Sequence, residues 1–187
     1  MIRPIRIYGD PVLHQRAQEV SVFDDELRSL VADMFDTMDA APGVGLAAPQ
    51  VGVSLRVFVY SYPDDDDNPR RGVIINPELS HSPITPGPGD DELDSEGCLS
   101  FPGERFALRR GESVVVSGID LDQHPVRIEA VGWFARIFQH EFDHLNGIIY
   151  VDKLPFADRQ EAFTVMEERG WNKPGRTWLP GTDKLED

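Results

Sequence analysis

His140 and His144 stand four positions apart in the stretch QHEFDHLNG, and Glu141 directly follows the first of them. On a helix, residues four apart lie about 40° apart around the axis, so both imidazoles point the same way, one turn apart. Two imidazoles at that spacing can grip one metal ion. Glu141 falls on the same side, within reach of a water beside the ion. One rigid helix would then carry two ligands and a general base. The plain alternative is a surface helix with two solvated histidines. Phe134, Ile137, Phe138, Phe142 and Leu145 argue against it, because they make the helix apolar around much of its circumference. Two imidazoles and a carboxylate on a buried helix need partners.

A hydrolytic metal site takes three protein ligands and leaves one position open. No histidine follows His144, so the downstream candidates are the carboxylates of Asp152, Asp158, Glu161, Glu167 and Glu168. Upstream, in DSEGCLSFPG, stands Cys98, the only cysteine of the chain. A lone thiol more often packs as a small buried hydrophobe. Next to a glycine, and in a chain with a two-histidine pair, it is the natural third ligand.

A third stretch, APGVGLAAPQVG (residues 41–52), has glycines and prolines around a single polar side chain, Gln50. It lacks the Gly-Lys-Ser/Thr of a phosphate loop and follows a helix rather than opening one. It reads either as a tight connection or as backbone that approaches a substrate closely, with Gln50 offering an amide donor.

The elements that must position these residues follow from periodicity and breakers. Residues 1–20 are extended and loop-like. A helix follows, with Ser21 or Asp24 as N-cap and Leu27, Leu30, Val31, Met34, Phe35 and Met38 on its core face. Residues 55–60 and 72–77 read as strands, 80–95 as a Pro/Gly/Asp-rich loop, and 113–120 with 125–130 as a hairpin. The metal-ligand helix is expected over 129–146 and another over 157–169, ended by Gly170. Residues 171–187 look irregular. Strands do not alternate regularly with helices, so the fold class is α+β: mixed, mainly antiparallel sheets packed around a central metal-binding helix. The length suits one domain over 1–187.

With 33 acidic and 18 basic residues the net charge is −15, which argues against DNA binding or any sequence-independent hold on nucleic acid. The acidic runs at 64–68, 90–94 and 183–187 read as solvated loops. No stretch is apolar for the roughly 18 residues a membrane helix needs. The first residues lack the apolar run of a signal peptide, so the expected location is cytoplasmic.

Taken in order, GVGLAAPQ (43–50), EGCLS (96–100) and QHEFDHLNG (139–147) resemble the three motifs of the peptide deformylases, which remove the formyl group from new bacterial polypeptides. The resemblance runs over residues 4–155. It implies that Cys98, His140 and His144 hold one divalent ion, Fe2+ in the cell, with Zn2+, Ni2+ or Co2+ able to replace it. It implies Glu141 as general acid/base, and Gln50 and the Leu99 backbone N–H as donors to the developing oxyanion. Val44 and Gly45 would line the substrate channel, the Gly45 backbone pairing with the peptide and Glu96 and Gly97 lying beside it. Trp133 and Ile137 would border the methionine pocket. The implied partners are formyl-Met nascent peptides and, transiently, the ribosome; the protein would be a monomer without membrane contact.

Some positions depart from the family pattern. Phe101 stands where a small β-branched residue is usual, Gln123-His124 replaces a glycine-containing turn, and Trp133 is bulky beside the pocket. The tail lacks the basic character of an RNA-docking segment. Arg105 and Arg110 are free to pair with Glu96 or to meet substrate. A thiolate ligand donates charge and weakens the ion as a Lewis acid, so metal identity should matter more than at an all-histidine site. Two rivals remain open: a metalloprotease whose third ligand is a downstream carboxylate, and a non-catalytic, metal-stabilised domain. Cys98 separates the first from a deformylase, and Glu141 the second.

Overall fold

A computed structural model describes residues 1–63 and 68–185. Of the expected solvated loops at 64–68 and 183–187, residues 64–67 and 186–187 lie outside the described residues. In chain order the elements are β1 (Ile5–Arg6), α1 (Asp25–Ala40), β2 (Gly45–Ala47), β3 (Val57–Pro63), β4 (Pro69–His81), β5 (Ser95–Cys98), β6 (Phe101–Ala107), β7 (Ser113–Ile119), β8 (Pro125–Val131), α2 (Gly132–Leu145), α3 (Phe156–Glu168) and β9 (Thr177–Trp178). Short 3-10 turns precede α1 and follow β2 and α2.

Five strands form an antiparallel sheet in the order β2-β3-β4-β7-β8. Two antiparallel ribbons, β5–β6 and β1–β9, lie outside it. Helix α2 packs Phe134, Ala135, Phe138 and Leu145 against Phe58, Tyr60, Ile74, Val114 and Val116 of the sheet. A second core gathers α1, the chain's first residues, Phe101, Tyr150, Trp171 and Trp178. The architecture is the expected α+β arrangement with α2 at its centre. Among the described residues no helix is long and apolar enough to cross a membrane.

Helix α1 begins as its capping signal predicts. The Asp24 carboxylate accepts the Leu27 N–H at 3.0 Å, which satisfies one of the free first-turn donors. The ligand helix, expected from residue 129, instead begins at Gly132. Residues 129–131 finish β8, where Glu129 pairs with Val115 and Val131 with Ser113. Gly132 takes φ +58°, a left-handed value that a side chain resists, and this turns the chain from strand into helix. Strand β4 outruns the expected 72–77 at both ends because β3 and β7 pair along it. Over the described tail, residues 171–185, the chain is mostly turns and bends, except that Thr177–Trp178 pairs with β1. Gln123 turns the β7–β8 hairpin at φ +62°, the conformation that a glycine would otherwise supply.

Candidate metal centre

Three segments far apart in sequence converge on one face of α2. The helix is held near its middle and at its C-terminal end. Gln139 clamps it to the strand side by giving its amide N–H to the Gly111 carbonyl (2.8 Å) and accepting the Gly111 N–H (2.9 Å). At the C-terminal end the buried Arg56 guanidinium donates to the Leu145 carbonyl and to Asn146 Oδ1, both at 3.1 Å. A cation there meets carbonyls that have no helical partner. His140 and His144 therefore sit on a fixed frame.

The third segment is the β5–β6 ribbon, which brings Cys98 to the two imidazoles. Cys98 Sγ lies 3.3 Å from His144 Nε2, and His144 Nε2 lies 3.2 Å from His140 Nε2. The three ligand atoms all fall within 4.8 Å of one another; Cys98 and His144 are buried, and the His140 side chain is 11 % exposed where it borders the cavity. Bond lengths of about 2.0–2.1 Å to nitrogen and about 2.3 Å to sulfur put tetrahedral ligand atoms about 3.3–3.6 Å apart. The spacing fits a single ion, and so does the donor set. Among the described residues no downstream carboxylate joins this cluster. Asp152 is committed elsewhere: Oδ1 accepts the Tyr8 hydroxyl at 2.6 Å and Oδ2 the Ile149 N–H at 2.9 Å.

Glu96 orients His140. Its Oε1 lies 2.6 Å from His140 Nδ1, which leaves Nε2 facing Cys98 and His144. The same carboxylate accepts from Arg110 Nη2 at 2.6 Å and from Arg136 Nη1 at 3.1 Å. Burial alone would push the Glu96 carboxyl up; the charge of Arg110 and the contact with His140 outweigh it and hold the group well below the usual carboxylate range. Arg110 also pairs with Asp143, and Lys153 reaches Asp143 at 2.9 Å. Arg136 is fixed by Asp94 Oδ1 (2.6 Å) and the Leu108 carbonyl (2.6 Å). Of the two arginines left open by sequence, Arg110 takes the Glu96 role.

Glu141 is buried beside the cluster, and its Oε2 has no hydrogen-bond partner among the described residues. Burial pushes its carboxyl up to about 7, against the pull of His140. A Cβ at Gly45 would stand 2.8 Å from Glu141 Cδ, so only glycine lets β2 pass this close. Gln50 turns its amide the same way. Its Oε1 accepts the Ala47 N–H at 2.8 Å, and its Nε2 points to Ser100 Oγ at 3.3 Å and Cys98 Sγ at 3.9 Å.

A cavity of about 350 Å³ opens onto these groups. Val44, Gly45, Gln50, Glu96, Gly97, Cys98, Leu99, Trp133, Ile137, His140 and Glu141 all line it. His144, 1 % exposed, lies behind. Sequence reading missed Pro42, Tyr62, Gly103, Glu104 and Arg136, which also border the cavity. Arg136 carried a faint signal as the one charged residue inside the apolar run of α2. Tyr62 and Gly103 carried none, because strand pairing alone brings them there.

A Cys/His/His cluster that could hold a metal ion, with a buried carboxylate beside it on the wall of a cavity, is the layout of a metal-dependent hydrolase. Residues 2–160 match the family model described as polypeptide deformylase. A peptide deformylase of Rhodococcus opacus is 50 % identical over 185 residues, covering 97 % of this chain and 94 % of that protein. Peptide deformylase 2 of Corynebacterium efficiens is 47 % identical, covering 98 % and 95 %. Among solved structures, the Legionella pneumophila peptide deformylase superposes with TM-score 0.77 at 40 % identity, over 91 % of this chain and 96 % of that one. The Synechococcus elongatus enzyme, solved in complex with actinonin, gives 0.73 at 41 % identity, over 89 % and 86 %. This chain belongs to the peptide deformylase family, metal-dependent hydrolases that remove N-formyl groups from nascent peptides.

Proposed function

We propose that deformylation by this chain runs on Cys98, His140 and His144 as the metal ligands and on Glu141 as the group that moves protons. The observation that carries this reading is the convergence of three ligand atoms beside a partnerless carboxylate oxygen on the wall of one cavity. A divalent ion held there supplies Lewis acidity and lowers the pKa of water toward neutrality. Glu141 takes a proton from the attacking water and passes it to the leaving amine nitrogen. The Gln50 amide and the Leu99 N–H receive the charge that develops on the formyl oxygen; one such donor is typically worth about 2.7–4 kcal/mol. Glu96 serves through His140, since both its oxygens are engaged by arginines and the imidazole. Val44, Gly45 and Gly97 run along the peptide, and Trp133 and Ile137 border its methionine side chain.

In this reading the ion in the cell is Fe2+, with Zn2+, Ni2+ and Co2+ as replacements. The protein works as a monomer in the cytoplasm, one domain over 1–187. It touches the ribosome transiently and binds neither DNA nor membrane. The substrate class is tested by comparing formyl-Met-Ala-Ser with acetyl-Met-Ala-Ser and an internal peptide of the same length. The acetyl group adds one methyl at the reacting carbon, so its removal is expected to be about 10–200-fold slower. Cleavage of the internal peptide bond at a rate matching formyl release would point to a metalloprotease instead.

A further inference from the structure

The C-terminal tail reaches the turn that carries Cys98. Trp178, on β9, is 3 % exposed, and its indole N–H donates to the Leu99 carbonyl at 2.8 Å. That carbonyl belongs to the Leu99–Ser100 peptide. The other end of the same peptide, the Ser100 N–H, donates to Cys98 Sγ at 3.4 Å. A single rigid peptide plane therefore lies between the indole and the sulfur. Donation to its carbonyl polarises the peptide and strengthens its N–H as a donor. The β1–β9 ribbon holds the turn a second time. Ile5 pairs with Trp178, and just beyond β1 the Tyr8 N–H donates to the Ser100 carbonyl at 3.0 Å.

We infer that Trp178 is a positioning residue for the metal centre: acting through the Leu99–Ser100 peptide, it aims the Ser100 N–H at the Cys98 sulfur. An N–H···S bond draws charge from a thiolate. It offsets the donation by which that thiolate would weaken a bound ion as a Lewis acid. Gln50 Nε2, 3.9 Å from the same sulfur, is the weaker second contact. The tail, without an assigned role in the motif pattern, becomes part of the site's outer support. This inference rests on Cys98 being a ligand.

The test uses the full chain loaded with Co2+. Wild type, Trp178→Phe and Trp171→Phe are compared by the thiolate-to-cobalt absorption band, the rate of cobalt loss to a chelator, and Tm. Trp171 is a fair control: it is buried against Phe101, with ring centroids 5.1 Å apart, and its side chain makes no hydrogen bond to the Leu99–Ser100 turn. Trp178→Phe is expected to move the band to longer wavelength, because charge returns to the sulfur. It is also expected to speed cobalt loss about 3–10-fold, because the turn that holds the sulfur in place loses its anchor and this outweighs the stronger donation. This is the low end of, or below, the roughly 10–100-fold effect of removing an outer partner. Trp171→Phe is expected to lower Tm with the band and the off-rate unchanged. If Trp178→Phe unfolds, Trp178→3-benzothienylalanine keeps the ring shape without the N–H and is expected to give the same shift. A wild-type band and off-rate in the Trp178 variant overturns the inference, as does an equal change in Trp171→Phe. No thiolate band in the wild type would overturn the ligand reading of Cys98, and this inference with it.

Discussion

Glu141→Gln is expected to lower kcat for a formyl-Met peptide by about 10²–10⁴-fold, the range that a positioned general acid/base supplies. The substitution keeps the size of the side chain and removes its ability to take and return a proton. Glu141 is not part of the Cys98–His140–His144 cluster, so the variant is expected to keep its metal content. KM is expected to change little, because Gly45, Gly97 and the apolar cavity wall are untouched. The comparison needs steady-state kinetics and metal analysis on the same preparation. Activity within tenfold of wild type, with metal bound, would remove Glu141 from the mechanism.

Cys98→Ala is expected to fail differently. It removes one of three ligands and leaves the imidazoles 3.2 Å apart with no third donor. Loss of a direct ligand should exceed the roughly 10–100-fold effect of losing an outer partner, so metal affinity is expected to drop by more than about 100-fold. Formyl hydrolysis is expected to fall with metal occupancy. The fold should hold, since the neighbouring turn keeps its bonds to Trp178 and Tyr8. Equilibrium dialysis with Zn2+ or Co2+ checks this. Unchanged stoichiometry and affinity would mean that another group completes the site. Asp152, the first carboxylate downstream, is already bonded to Tyr8 and Ile149, which makes it a poor replacement.

These outcomes reflect how much of the site sequence reading could reach. His140, Glu141 and His144 lie within one helical turn, so helix geometry alone relates them. Cys98 stands out as the candidate third ligand from the lack of a downstream histidine and from its glycine neighbour. The order of the three motifs then pointed to the family. What escaped depends on contacts between distant segments. Helix α2 starts three residues late because pairing with β7 claims 129–131, and no local propensity records that competition. The β5–β6 ribbon was hidden because EGCLSFPG looks like a turn, yet Glu96 and Gly97 pair with Phe106 and Arg105. Glu96 lines the cavity, and its pairing with Arg110 was one of the openings sequence offered; the contact with Arg136, 40 residues away, was not legible. Trp178 lies 79 residues from the carbonyl it holds, and a tail of prolines and glycines gives no period to reveal it.

The most direct test of the central claim is formate release from a formyl-Met peptide by anaerobically purified protein, with metal measured in the same sample. Activity is expected to rise in proportion to bound divalent metal, to reach its plateau at one ion per chain, and to vanish on chelation. Fe2+ reloading is expected to restore it. Full activity in the metal-free protein, or no formate from protein carrying one Fe2+ per chain, would contradict the assignment of Cys98, His140 and His144 as a catalytic metal centre.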